Sequence, residues 1–227
     1  MIRLPDPAGP PISLWLVNLD APSSEAGLHS LDALSASERA RAGRFHHAHD
    51  ARWYVARHNA LRLLLAAETH MHPKDVHFVE GEHGKPYLNL DTPLHFNMSH
   101  AKGWALIGIS TEAAIGVDIE RPHPMADWSA LAQRCLSAAE WEDLMALPPG
   151  QQLSAFLQCW TRKEACLKAL GSGLTIEPGT FDAGIETALR EVSIDSAHDK
   201  HLSSVVSVDL PMDALAAVAW MQTASGL

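Results

Sequence analysis

Asp118 and Glu120 stand two residues apart in the run Ile115-Gly116-Val117-Asp118-Ile119-Glu120. Side chains of a β-strand point to opposite faces with a period of two. The run therefore predicts a strand with Ile115, Val117 and Ile119 on one face and Gly116, Asp118 and Glu120 on the other. The two carboxylates are then about 7 Å apart at Cα, oxygen ligands at a spacing that one hard cation can bridge. The acidic solvent face of an amphipathic strand accounts for the same six residues, and the run alone leaves both readings open.

A third carboxylate comes from the segment 151–170, which predicts the strongest helix of the chain. On a wheel of 100° per residue, Leu153, Leu157, Trp160 and Leu167 fall within about 40° of one direction and define the expected buried stripe. Glu164 lies in the middle of that stripe and Lys168 at its edge, one turn on. A buried glutamate without a partner costs several kcal/mol, so Glu164 either pairs with a cation or points into a cleft. A solvated Glu164–Lys168 pair is the plainer alternative, worth a few tenths of a kcal/mol. Three carboxylates and a lysine suit an Mg²⁺ or Mn²⁺ site that handles phosphate, the metal neutralising charge on the transferring group and keeping waters and substrate oxygens among its ligands.

The elements that must position these groups follow from periodicity and breakers. Pro5, Pro7, Gly9, Pro10 and Pro11 predict an extended lead-in, and 12–19 a first strand. Ser35 and Glu38 form a capping box that starts a helix towards Phe45. A longer helix is expected from about Asp50 to Glu68. Short extended pieces fill 69–93, with a strand at 76–79. Strands at 94–98, 104–110 and 114–120 with short connections suggest an antiparallel meander that brings His100 and Asp118 to neighbouring strand ends. Residues 128–134 predict a helix, and Ser137 with Glu140 a second capping box opening another at 137–147. Gly171-Ser172-Gly173 ends the helix that carries Glu164. The remaining residues read as strands, among them 202–210 and 215–221.

Composition bounds the function classes. The chain has 227 residues, 47% hydrophobic and 19% charged, with a formal net charge of −10. That balance is globular, and no apolar run reaches the ~18 residues of a membrane span. The N-terminal residues lack the pattern of a signal peptide. Three cysteines without CxxC spacing argue against a disulfide framework or zinc site, and cytoplasmic residence is the expectation. The negative charge disfavours nucleic acid as a partner. Six of the 17 basic residues nevertheless fall between Arg39 and Arg62. This arginine-rich segment suits a compact anionic ligand, and a solvated helix face accounts for it as well.

Three blocks in order resemble the 4′-phosphopantetheinyl transferases of the surfactin-synthetase-activating (Sfp-like) type. They are Gly84-Lys85-Pro86 with Phe96-Asn97-Met98-Ser99-His100, then Ile115–Glu120, then Trp160-Thr161-Arg162-Lys163-Glu164-Ala165-Cys166-Leu167-Lys168. The resemblance covers roughly residues 12–180. It implies an α+β fold of two similar halves related by a pseudo-two-fold axis, each a long helix on a small antiparallel sheet, divided as 1–112 and 113–227 with the active site between them. It implies transfer of the 4′-phosphopantetheine arm of coenzyme A to a serine of an apo acyl, peptidyl or aryl carrier domain, with adenosine 3′,5′-bisphosphate released. Asp118, Glu120 and Glu164 would then hold Mg²⁺, or Mn²⁺. Glu164 would act as general base, and Lys168 would stabilise the departing phosphate. Ser99, His100, Lys85, Lys163 and Lys168 would contact coenzyme A, with Arg41 near its 3′-phosphate and Arg44 and Arg57 as further candidates. Gly43 departs from the pattern, since related enzymes often carry a basic residue there. The implied partners are carrier domains of fatty-acid, polyketide or peptide synthases, served by a monomer.

Two other readings compete. A metal-dependent nuclease of the Asp…Glu-x-Lys kind has Asp118 and Glu164 in its favour, but the lysine falls four residues after Glu164 rather than two. A non-catalytic module binding carrier domains or coenzyme A would have no need of three acids around a metal.

Overall fold

A computed structural model describes residues 1–22, 27–81, 83–196 and 199–222. In chain order the strands are β1 (Ile2–Arg3), β2 (Ile12–Asn18), β3 (Phe78–Glu80), β4 (Pro86–Leu88), β5 (His95–Ala101), β6 (Trp104–Ser110), β7 (Ile115–Glu120), β8 (Arg190–Asp195), β9 (Lys200–Ser207) and β10 (Leu215–Met221). The α-helices are α1 (Ala36–Ala42), α2 (Ala48–Thr69), α3 (Trp128–Cys135), α4 (Ala138–Ala146) and α5 (Pro149–Leu170). Two antiparallel sheets, β1-β2-β6-β5 and β7-β10-β9-β8, share no strand, and β3 pairs with β4 in a separate hairpin. The fold is α+β, as expected.

Strand alternation decides the layers. Val17 of β2 and Leu19 just beyond it, with Ile107 and Ile109 of β6, face Ala56, Ala60, Leu61 and Leu65 of α2. Leu14, Leu16 and Leu106 point the other way and meet Ile115, Val117 and Ile119 of β7 and Val218 of β10. On the far side of the second sheet, Ala217, Ala219 and Val205 pack on Ala165, Cys166 and Ala169 of α5. The order of layers is thus α2, first sheet, second sheet, α5. Each interface removes apolar side chains from water at roughly 25 cal/mol per Å². Free Cys135, Cys159 and Cys166 are all buried.

Both capping boxes form as the sequence predicts, Ser35 with Glu38 and Ser137 with Glu140. Three expectations are corrected. The meander does not continue into β7: Ile115–Glu120 pairs with β10, in register Asp118 to Ala217. As the edge of its sheet, β7 runs beside β5, the edge of the other, and the free Val117 N–H donates to Asn97 Oδ1 at 2.9 Å. A side-chain amide thus satisfies a backbone donor that an edge strand leaves open. Helix α5 starts at Pro149 rather than 151, because proline at the first turn has no N–H to lose. Helix α1 stops at Ala42, short of Phe45.

Candidate functional site

The face of β7 that carries Gly116, Asp118 and Glu120 is covered by α5, so the solvent-face alternative for these acids is overturned. Gly116 makes the covering close. A Cβ at this position would lie 2.1 Å from the Ala165 carbonyl oxygen and 2.3 Å from the Ala169 nitrogen. Only a glycine lets the strand backbone lie this near the helix backbone.

The helix presents Trp160, Glu164 and Lys168 along one i,i+4 row, each half-buried. This corrects the expected burial pattern. Arg162, Lys163, Ala165, Cys166 and Leu167 are buried, because the sheet on one side and α4 with the segment after α5 on the other enclose α5 nearly all round. The row with Glu164 is therefore the open edge of an otherwise buried helix, and of the two options for Glu164 the cleft is the one observed.

Across that edge, Lys168 Nζ lies 2.6 Å from Asp118 Oδ1. Ser99 Oγ, from the other sheet, donates to the same oxygen at 2.7 Å and lies 3.2 Å from Lys168 Nζ. Asp118 is 5% exposed, yet its Oδ2 has no hydrogen-bond partner. A buried carboxylate oxygen left bare costs of order 1–3 kcal/mol, so something is expected to meet it.

Charges of both signs meet around this point. Burial, then the charge of Asp118, push the Glu120 carboxyl above its ordinary range, with Glu164 adding to the push. Burial likewise raises Glu164; Lys168 pulls it down and Asp118 pushes it up. Partial burial, with the charges of Arg57 and His58 on α2 and of Lys168 on α5, brings His100 down to about 4. His100 is exposed and neutral at pH 7. Among the described residues, no three His, Cys, Asp or Glu side chains converge closely enough to hold a metal by themselves.

The remaining predicted residues are distributed unevenly. A cleft of about 510 Å³ in the first half is lined by Arg41, Tyr54, His58, Arg62, Pro86 and Asn97, among others. Arg41 and Arg57 both lie over the Tyr54 ring, 5.7 and 4.9 Å from its centroid, and burial lowers Arg57 to about 10. Arg44 is exposed and turns back to donate to Ala40 O of its own helix at 3.3 Å; it does not line the cleft.

Two predicted ligand contacts are corrected. Lys163 is fully buried, paired with Glu140 at 2.7 Å and donating to the carbonyls of Pro178 and Phe181. An ammonium so placed has no route to a nucleotide. Lys85 donates to three backbone carbonyls, those of Ile115, Lys168 and Ala169. Sequence reasoning also missed the Glu38–Arg62–His58 cluster, although Glu38 was identified as a cap. Arg62 donates to Glu38 Oε2 at 2.7 Å and His58 Nδ1 lies 3.1 Å from Oε1. Asn97 lay within a recognised block, but nothing in the sequence signals its bond to Val117.

Comparison with known proteins points to one family. Residues 114–217 match the 4′-phosphopantetheinyl transferase superfamily, and residues 20–112 match the N-terminal region of a 4′-phosphopantetheinyl transferase. The chain is 37% identical over 167 residues to the 4′-phosphopantetheinyl transferase HetI of Nostoc sp., covering 72% of this chain and 70% of that protein. A 4′-phosphopantetheinyl transferase of Bacillus subtilis is 30% identical over 88% of this chain and 82% of its own length. The Sfp protein of the same species is 26% identical over the same shares.

Proposed function

The chain belongs to the 4′-phosphopantetheinyl transferase superfamily and is a transferase of that type, and from that premise we propose that it moves the 4′-phosphopantetheine arm of coenzyme A onto a serine of an apo carrier domain with the help of a divalent cation. The observation that carries this reading is the Ser99–Asp118–Lys168 cluster with its bare Asp118 Oδ2. It joins the two sheets where an anionic cofactor and an approaching hydroxyl could both reach it.

The residues present fit Mg²⁺ or Mn²⁺. Burial and the charge of Asp118 raise the proton affinity of Glu120 and of Glu164, which a cation would relieve, and one buried oxygen is without a partner. Mg²⁺ commonly uses one or two carboxylates plus substrate phosphate oxygens, so a full protein cage is not needed. Asp118, Glu120 and Glu164 are the residues that would hold it. When bound, the cation would supply charge neutralisation on the pyrophosphate.

The chain's own groups account for the rest. Glu164, with its raised proton affinity, takes the proton of the carrier serine hydroxyl as the oxygen attacks the β-phosphorus. That P–O bond forms as the bond to the α-phosphate oxygen breaks, releasing adenosine 3′,5′-bisphosphate. Lys168 meets the negative charge that develops on the departing phosphate, while Ser99 and His100 hold phosphate oxygens. Arg41 and Arg57 give the first-half cleft its affinity for the nucleotide end. Carrier domains of fatty-acid, polyketide or peptide synthases are the proposed partners, met by a cytoplasmic monomer with no role for nucleic acid. No helix among the described residues is long and apolar enough to cross a membrane.

Intact-mass spectrometry of an apo carrier domain, incubated with coenzyme A, the enzyme and Mg²⁺, tests the reading. The carrier should gain one phosphopantetheine on its serine, and chelation should stop the gain. No mass shift with any carrier class at any metal concentration would sink it.

A further inference from the structure

Lys85 sits in the turn of the β3–β4 hairpin, and its backbone is fixed there. Gly84 adopts a left-handed φ of 78°, Pro86 opens β4, and the Gly81 N–H donates to Lys85 O at 3.0 Å. The side chain crosses from this first-half hairpin to the second half. A lysine ammonium has three hydrogens. They go to Ile115 O at 2.9 Å, Lys168 O at 2.6 Å and Ala169 O at 3.1 Å. Ile115 is the first residue of β7. Lys168 and Ala169 lie in the last turn of α5, where carbonyls have no partner within the helix and the helix dipole favours a cation. Burial draws Lys85 down to about 8, so these bonds are made by a group taken largely out of water.

We propose that Lys85 is a positioning residue for the transfer reaction: one ammonium from the first half joins the start of the Asp118 strand to the last turn of the Glu164–Lys168 helix. The consequence is specific to Lys168. Its main-chain carbonyl is held by Lys85 while its side chain reaches Asp118 at 2.6 Å. Together with the contact at Gly116, this sets the strand and helix in one register at the active edge. With all three hydrogens engaged, Lys85 has none to offer a phosphate. The role rests on reading this edge as the transferase centre.

The test uses full-length enzyme with Lys85→Met, which keeps the stem and removes the donors, and Lys85→Arg, which returns a cation with a different donor geometry. In Lys85→Met, kcat for carrier modification should fall roughly 10- to 100-fold, as expected for a misplaced catalytic group, with KM for coenzyme A within about 3-fold of wild type. Native-state hydrogen exchange should quicken at 167–171 and stay at wild-type protection over 152–160. Lys85→Arg should recover part of the lost kcat. A rise in KM of about tenfold or more with kcat held would put the ammonium on coenzyme A and overturn the proposal. Unchanged kcat, or exchange that quickens evenly along α5, would overturn it too. If Lys85→Met does not fold, Lys85→Gln is read by the same criteria. A wild-type enzyme that modifies no carrier defeats the transferase reading of the edge, whereas an active wild type without the kcat split defeats only the role of Lys85.

Discussion

Arg62 and Lys163 are counterparts: each pairs at 2.7 Å with the glutamate of a Ser-x-x-Glu capping box, Arg62 with Glu38 and Lys163 with Glu140. The match extends to their surroundings. His58 lies 3.1 Å from Glu38 and Cys159 3.2 Å from Glu140. Each cation also donates to carbonyls of the segment after its helix and lies over a phenylalanine ring, Phe78 or Phe181. The two 22-residue helices thus repeat one polar hub. Glu164 and Lys168 have no such counterparts, because Leu63 and Ala67 stand at the equivalent turns of α2. The hub belongs to the architecture of both halves, and the acid and lysine to one.

Lys163→Met should therefore act on stability. It strands a buried Glu140 carboxylate, at a cost of about 3–5 kcal/mol, partly offset by the N–H bonds from Ser137, Ala183 and Gly184. Urea unfolding of the variant should give a lower midpoint, and the folded fraction should bind coenzyme A as wild type does. Weakened binding at unchanged stability would return Lys163 to the ligand.

Gly116→Ala should be costly out of proportion to one methyl. The atoms it meets are helix backbone, at 2.1 and 2.3 Å, and cannot swing aside like a side chain. Overpacking of this kind costs about 1–3 kcal/mol, which for a chain of this size lowers Tm by roughly 2–12 °C. Thermal unfolding with an unchanged Tm would show that β7 and α5 are free to part.

Acid stability should depend on Glu38. Burial alone would raise this carboxyl, but hydrogen bonds from His58, the Ser35 N–H and Arg62 outweigh it and hold the pKa at about 2 against an ordinary 4.5. A carboxyl depressed on folding stabilises the native state above its unfolded pKa, and that stability is lost as pH falls through the folded value. Between pH 4.5 and about 2 the wild type should lose roughly 3 kcal/mol from this group. Glu38→Gln should start less stable and lack that limb. Parallel stability–pH curves for the two proteins would contradict the assignment.

Glu164→Gln keeps the shape of the side chain and removes the base. Carrier modification should drop roughly 10²- to 10⁴-fold, with coenzyme A still bound in a direct titration. Turnover near wild type would take the base role from Glu164. Asp118→Asn should instead shift the Mg²⁺ titration upward; an unmoved titration would place the metal elsewhere.

What the sequence alone determined was local. Alternation put Asp118 and Glu120 on one face, and the two Ser-x-x-Glu patterns set helix starts at Ser35 and Ser137. Each depends on neighbours within a few residues, where backbone geometry is periodic and side-chain hydrogen bonds are short-range. The tertiary structure decided what those faces meet. The partner of β7 is β10, about a hundred residues on, and no local pattern separates that pairing from a meander with β6. Lys85 and Lys163 look alike in sequence, as lysines inside recognised blocks, and both were assigned to a ligand. Their donors go to carbonyls and a carboxylate that only folding brings near, because an ammonium taken from water must find partners wherever the chain encloses it. Glu164 lies between these cases. The sequence showed that it needed a partner or a cleft, and packing around the rest of α5 left it the cleft.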